Sequence, residues 1–357
     1  MTHYQFVDQP DNLSSSLVHE EHLGIDTEFM REKTYFAQLC LVQVATADEI
    51  YCIDPLVPGD HGQFWKALLS RDWIVHSARQ DIEVVIQTAG LMPNSIFDTQ
   101  IAAGLLGHPP QMGYASLVKE LFGVEMAKSH TRADWTRRPL RDAWLQYAAE
   151  DVEYLLPAYQ ALHERLQQVG RLRWALEDSR LLLDPALYEV SAEQAIDRLK
   201  GARNFRGRRR AAAARLAAWR EHEAIRRNLP RQWIVKDNVL LDIAARLPTS
   251  QDKLEDIDSV SPKLANRAGR KLLRAVADSA RDDSDYQPPR APTEQQKALL
   301  REMQARVAGH ARELGLAAET VASKRELSAV IISGDHDSRL FNGWRREIVG
   351  DELRTLL

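Results

Sequence analysis

The sequence predicts an α/β domain with a mixed β-sheet, followed by all-helical modules. Three observations lead there. Three β-forming segments crowd into the first 53 residues, helix and strand then alternate to about residue 98, and nearly everything beyond has helical periodicity. Residues 23–27, L-G-I-D-T, form a short apolar strand with Asp26 near its end. Residues 37–46 set Leu39 and Leu41 between Gln38 and Gln43 and are rich in β-formers. Residues 49–53 make a third strand, stopped by Asp54 and Pro55. Strands this close together are joined by hairpins, hence antiparallel. Residues 62–69 then read as helix, 73–76 as strand and 80–89 as helix. The longest helical stretch, 141–168, carries Trp144, Leu145, Ala148, Val152, Leu155, Leu156 and Leu162 at helical spacing, and Pro157 should kink or break it.

A chain of 357 residues is long enough for two or three domains. Its 44% hydrophobic and 27% charged residues exclude a disordered or collagen-like chain. Two cysteines exclude a disulfide scaffold and a thiolate zinc site, so Cys40 and Cys52 read as small core residues in a reducing compartment. The N-terminus lacks the basic and apolar regions of a signal peptide, and no apolar run is long enough to span a bilayer. The expectation is a soluble cytoplasmic protein, with a monomer as the default. The expected layout is an α/β domain over 1–170, a helical connector over 171–205 broken at Asp184–Pro185, a helical domain over 206–282, an acidic Pro-rich linker over 283–292, and a second helical domain over 293–357.

Charge is distributed unevenly. Residues 1–200 hold 17 basic and 29 acidic side chains, whereas residues 201–280 hold 18 basic and 9 acidic ones. A basic block behind an acidic one suits a polyanionic partner, although a solvated helix face would read the same way. The densest run is Arg206, Arg208, Arg209 and Arg210, followed by Arg215, Arg220, Arg226 and Arg227. Phe205, Trp219 and Trp233 lie among these arginines and could stack on bases, but each tryptophan reads more simply as interior filling.

The carboxylates carry the chemistry. Asp26 and Glu28 lie two apart at a strand end, so both project from one face. Such neighbours repel unless a cation lies between them or one is protonated. Asp81 opens a helix, where the helix dipole alone would favour it. Tyr147 and Asp151 lie four apart and share a helix face. Together these make four carboxylates and a phenol drawn from three segments. Hard oxygen donors suit Mg²⁺ or Mn²⁺, and carboxylate-held ion pairs cut phosphodiesters.

At this point the residues resemble a known family. I-D-T-E-F with F-A-Q-L-C-L-V-Q-V resembles the first exonuclease motif of the DEDD superfamily. V-H-S-A-R-Q-D-I-E-V-V with I-F-D-T-Q-I-A-A-G-L-L-G is similar to the second, and Y-A-A-E-D-V-E-Y-L-L to the tyrosine form of the third. R-L-A-A-W-R-E-H-E-A-I-R-R-N-L-P with L-L-D-I-A-A-R-L-P resembles the small helical HRDC domain, and 293–357 a divergent second copy. Exonuclease plus two HRDC domains is the layout of the bacterial ribonuclease D family. The resemblance implies an RNase H-like exonuclease fold of the DnaQ-like kind. It implies two divalent cations, Mg²⁺ or Mn²⁺, on Asp26, Glu28, Asp81 and Asp151, with Tyr147 orienting the attacking water. It implies 3′–5′ hydrolysis of single-stranded RNA to nucleoside 5′-monophosphates, with tRNA precursors bearing 3′ tails as partners.

Candidate nucleic-acid contacts are Thr27 and Phe29 beside the acids, His76 ahead of Asp81, and Arg208, Arg209, Arg210 and Arg220 in the basic block. Phe29 also reads as core and His76 as a structural histidine. Two other functions compete: a 3′–5′ DNA exonuclease, and a non-catalytic nucleic-acid-binding protein, which the loss of a carboxylate would have favoured. No G-x4-G-K-[ST] loop supports a helicase.

Overall fold

The computed structural model describes residues 2–126, 133–189, 191–281, 292–335 and 337–357. Its contacts divide the chain into two units. One comprises Met1–Met30, Gln38–Leu187 and Pro292–Leu357; the other comprises Arg31–Ala37 and Tyr188–Ala291.

Six strands organise the first unit: β1 (Gln5–Val7), β2 (His22–Met30), β3 (Gln38–Ala45), β4 (Ile50–Ile53), β5 (Asp72–Val75) and β6 (Ser95–Asp98). Their order across the sheet is β1-β4-β3-β2-β5-β6. The β2–β3 and β3–β4 pairs are antiparallel, whereas β1 joins β4, β5 joins β2 and β6 joins β5 in parallel, so the sheet is mixed as the sequence predicts. β1 and β6 have no counterpart in the sequence reading. Each is too short to show alternation, and β1 is an edge strand with Phe6 exposed. β3 is buried along nearly its whole length, as a strand covered on both faces must be.

Helices α1 (Gly62–Leu69), α2 (Arg79–Ala89), α3 (Thr99–Leu105), α4 (Tyr114–Phe122), α5 (Asp142–Glu153), α6 (Leu155–Gln168) and α7 (Leu172–Leu181) follow. The long stretch 141–168 breaks at Tyr154, between α5 and α6. Pro157 occupies the first turn of α6, where a missing N–H costs no helical hydrogen bond. Gly24 of β2 lets α6 approach closely, since a Cβ there would lie 3.1 Å from the Cβ atoms of both Ala45 and Leu155.

The second unit packs α8 (Gly207–Arg227), α9 (Asp237–Arg246) and α10 (Pro262–Asp278) around Leu216, Leu240, Ile243, Leu264 and Leu272. It takes in the short stretch Arg31–Ala37. There the Tyr35 hydroxyl donates to Glu221 (2.5 Å) and the Asn228 side-chain oxygen accepts from the Tyr35 and Phe36 N–H groups. Arg231 grips both oxygens of buried Glu221 at 2.6 Å and lies over the Tyr35 ring.

The chain then returns to the first unit through α11 (Glu294–Leu314) and α12 (Lys324–Ser333). Met303, Val307, Leu340 and Trp344 share one apolar core with Phe97, Leu105, Leu162, Leu166 and Ala175. Trp344 stacks on Trp174 with centroids 4.4 Å apart and donates its ring N–H to Asp178. Buried Arg345 pairs with both oxygens of Asp178. The linker expected over 283–292 falls outside the described residues, except Pro292. Among the described residues no helix is long and apolar enough to cross a membrane.

Candidate active site

The antiparallel β2–β3 pair presents Asp26 and Glu28 on one face, the face against which α5 and α6 pack. α5 brings Tyr147 and Asp151, one turn apart, over the same strand. A cavity of about 260 Å³ opens there, lined by Ile25, Asp26, Thr27, Glu28, His76, Tyr114, Tyr147, Asp151 and Leu155. Four of the five residues expected to carry the chemistry thus face one space.

The fifth, Asp81, sits in the first turn of α2, is buried, and does not line the cavity. Its carboxylate accepts a 2.5 Å hydrogen bond from the Thr27 hydroxyl. Its charge still reaches the cluster, since it helps raise the pKa values of Asp26 and Glu28. Asp98, which the sequence reading left without a role, fixes this arrangement. Buried at the end of β6, it accepts from the N–H groups of Ser77 (3.1 Å) and Ala78 (3.0 Å). That holds the turn, with Ser77 in the left-handed region, that launches α2.

All four carboxyls are pushed upward. Burial is the main cause for Asp26, with the charges of Asp81, Asp151 and Glu28 adding to it. Burial and the charges of Asp151 and Asp81 push Glu28 up to about 8. Burial lifts Asp81 to about 7 against the opposing Thr27 hydrogen bond. It lifts Asp151 to about 7 against a hydrogen bond from Tyr147. Burial, the Asp151 and Glu28 charges and that same bond keep the Tyr147 phenol protonated well above its ordinary value. Among the described residues no three side chains converge as a finished ligand set. Like charges gathered in one partly desolvated space repel, and the raised pKa values record that repulsion together with burial. An all-oxygen, partly buried, mutually repelling set is what a hard divalent cation relieves, so these residues fit Mg²⁺ or Mn²⁺.

Sequence reasoning missed Tyr114. Its hydroxyl accepts from the Tyr154 N–H at 2.9 Å, and its ring leans on His76, with centroids 5.7 Å apart. No acidic neighbour or motif in the sequence flags it. His76 lines the cavity, and its two ring nitrogens are bonded to Thr99 Oγ1 and the Met112 carbonyl. Thr27 also lines the cavity, but its hydroxyl is committed to Asp81, which makes it a support for that carboxylate. Phe29 is partly buried beyond a bulge at Glu28/Phe29 and is not part of the cavity wall.

In the second unit Arg208 and Arg209 are exposed, and Arg210 is partly covered and bonded to the Ala202 carbonyl. Arg220 corrects the sequence reading. It is 3% exposed and holds the partly exposed Asp237 and the Val235 carbonyl, so its guanidinium is buried out of reach of a phosphate. Trp233 corrects it the other way: expected inside, it is 58% exposed. Trp219 and Phe205 pack against the unit's core.

A 3′–5′ exonuclease family model matches residues 4–167 and an HRDC model matches 209–276. The chain is 39% identical to a ribonuclease D of Gluconacetobacter diazotrophicus, covering 94% of this chain and 88% of that one. It is 35% identical to one of Xanthomonas oryzae pv. oryzae, covering 99% and 98%. Among solved structures it is similar to Escherichia coli RNase D, described as an exoribonuclease involved in structured RNA processing, with a TM-score of 0.88, 29% identity, and 99% and 98% of the two chains covered.

Proposed function

The chain belongs to the ribonuclease D family, a 3′–5′ exoribonuclease by its relatives and its exonuclease domain, and from that premise we propose how its residues act and on what. The substrate is the unpaired 3′ tail of a structured RNA, a tRNA precursor being the case that fits best. Each turnover adds water across the terminal phosphodiester and releases one nucleoside 5′-monophosphate, leaving a new 3′-hydroxyl. The observation that carries the reading is the convergence of Asp26, Glu28, Tyr147 and Asp151 on one cavity, with Asp81 beside it.

Asp26, Glu28, Asp81 and Asp151 would hold two divalent cations. When bound, such ions neutralise charge at the reacting phosphate and acidify water. Tyr147 donates a hydrogen bond to Asp151, and its oxygen keeps lone pairs to accept from a water in the cavity. With its pKa raised, the phenol positions that water and does not act as its base. Thr27 and Asp98 keep Asp81 in place. The exposed Arg208 and Arg209 would hold RNA by its phosphates, which gives affinity without sequence preference. In this reading the HRDC domain spans 206–282, and 293–357 is a divergent second copy working as a monomer with the rest.

The test follows a 3′-labelled RNA tail, and a matched DNA tail, with Mg²⁺, with Mn²⁺ and with chelator, for wild type and Asp151→Asn. Metal-dependent release of 5′-mononucleotides from RNA by wild type only is expected. Activity that survives chelator or Asp151→Asn would overturn the reading, and equal cutting of DNA would remove the RNA assignment.

A further inference from the structure

Gln43 sits in the middle of β3 and is fully buried, yet neither its amide nitrogen nor its amide oxygen has a hydrogen-bond partner. Buried polar groups are nearly always paired, because an unpaired one forfeits its hydration and gains nothing. The surroundings make an amide more conspicuous still. On the same face Gln43 is flanked by Leu41 and Ala45, and across the sheet it meets Cys52 of β4. α5 closes over the top with fully buried Ala148 and Ala149, and Cys52 donates to the Leu145 carbonyl of that helix. A Leu or Met would fill this niche at no polar cost.

The register shows what the amide is next to. Gln43 lies directly opposite Asp26 in the antiparallel β2–β3 pair. Residues so placed project from the same face with Cβ atoms about 5 Å apart. Asp26 reaches the cavity wall, so the strand position that faces the cavity is the one whose cross-strand neighbour is Gln43. A carboxylate has more acceptor sites than a cation uses, and the Gln43 amide has two N–H donors to offer.

We propose that Gln43 is a positioning residue: when Asp26 takes up a divalent cation, the Gln43 amide, unpaired in the metal-free structure, donates to the Asp26 carboxylate and fixes the orientation in which it holds the ion. This rests on the proposed role of Asp26 as a metal-holding group. Groups that orient ligands from behind commonly change metal affinity about 10–100-fold when removed. The amide is thus retained at a cost to stability in return for a defined ligand geometry.

The test uses the full chain without RNA. Mn²⁺ affinity is measured by calorimetry, and thermal unfolding is followed in chelator, for Gln43→Met, Gln43→Leu and Asp26→Asn. Both Gln43 variants should be at least as stable as wild type in chelator, because an unpaired buried amide is gone, while Mn²⁺ affinity falls at least about tenfold. A filler role would leave affinity untouched, so unchanged affinity in whichever Gln43 variant folds overturns the proposal. If Asp26→Asn loses Mn²⁺ and the Gln43 variants keep it, only the Gln43 role fails. If Asp26→Asn binds Mn²⁺ like wild type, the metal role of Asp26 fails and this inference fails with it.

Discussion

Asp81→Asn should stabilise the metal-free protein at alkaline pH while abolishing its activity. Burial holds the Asp81 carboxyl at about 7 against an ordinary 3.8. A carboxyl that binds its proton more tightly in the folded state favours folding at low pH. That advantage is lost as pH rises from about 4 through about 7, and above it the buried anion opposes folding. The interval corresponds to an upper bound of about 4 kcal/mol for this one group. Asparagine carries no charge and can still accept from Thr27, so it escapes the penalty without surrendering the hydrogen bond. The assay is thermal unfolding of wild type and Asp81→Asn in chelator at about pH 5 and about pH 8, where each kcal/mol shifts the midpoint by about 2–4 °C at this size. The variant should gain several degrees at the higher pH and little at the lower one. Saturating Mg²⁺ should raise the wild-type midpoint more than the variant's. Equal midpoints in chelator at about pH 8 would refute the claim that this buried charge opposes folding.

Other outcomes follow from features elsewhere in the molecule. Asp178→Ala strands the buried Arg345 guanidinium and should cost about 3–5 kcal/mol by chemical denaturation, whereas replacing both partners with apolar residues should recover most of it. Arg208→Ala with Arg209→Ala should weaken RNA binding alike across sequences and flatten its salt dependence by about one unit of slope for each phosphate no longer neutralised; an unchanged slope rules out phosphate binding there. Arg220→Ala should instead lower the midpoint of the second unit with no change in salt slope. Trp233→Ala should leave stability within about 0.5 kcal/mol, and a larger loss would mean that the exposed ring packs against something.

Much of the candidate site was legible because local geometry encodes which side chains share a face. A two-residue spacing on a strand and a four-residue spacing on a helix put Asp26 with Glu28 and Tyr147 with Asp151, whatever the tertiary fold. The central strands announced themselves by β-rich runs. Tyr114, Asp98 and Gln43 were silent, because their meaning lies in what other segments bring beside them. Gln43 in particular reads as an ordinary polar position of a β-rich strand until register sets it against Asp26. Arg220 and Trp233 were misread for a related cause. Within a basic stretch every arginine looks solvated, and only helix packing shows that Arg220 points inward while Trp233, on the short helical turn Arg231–Ile234, points out.

The union of early and late chain in one core bears on how this protein is made. The Asp178–Arg345 pair joins residues 167 positions apart, and a chain synthesised at about 5–20 residues per second needs on the order of 10–30 s between them. Throughout that interval the apolar face formed by Leu162, Leu166 and Ala175 waits without Met303, Val307 and Trp344. Late closure of this kind slows folding and invites chaperone capture of the nascent chain. It also means that the catalytic unit reaches its full stability only once translation has passed Trp344.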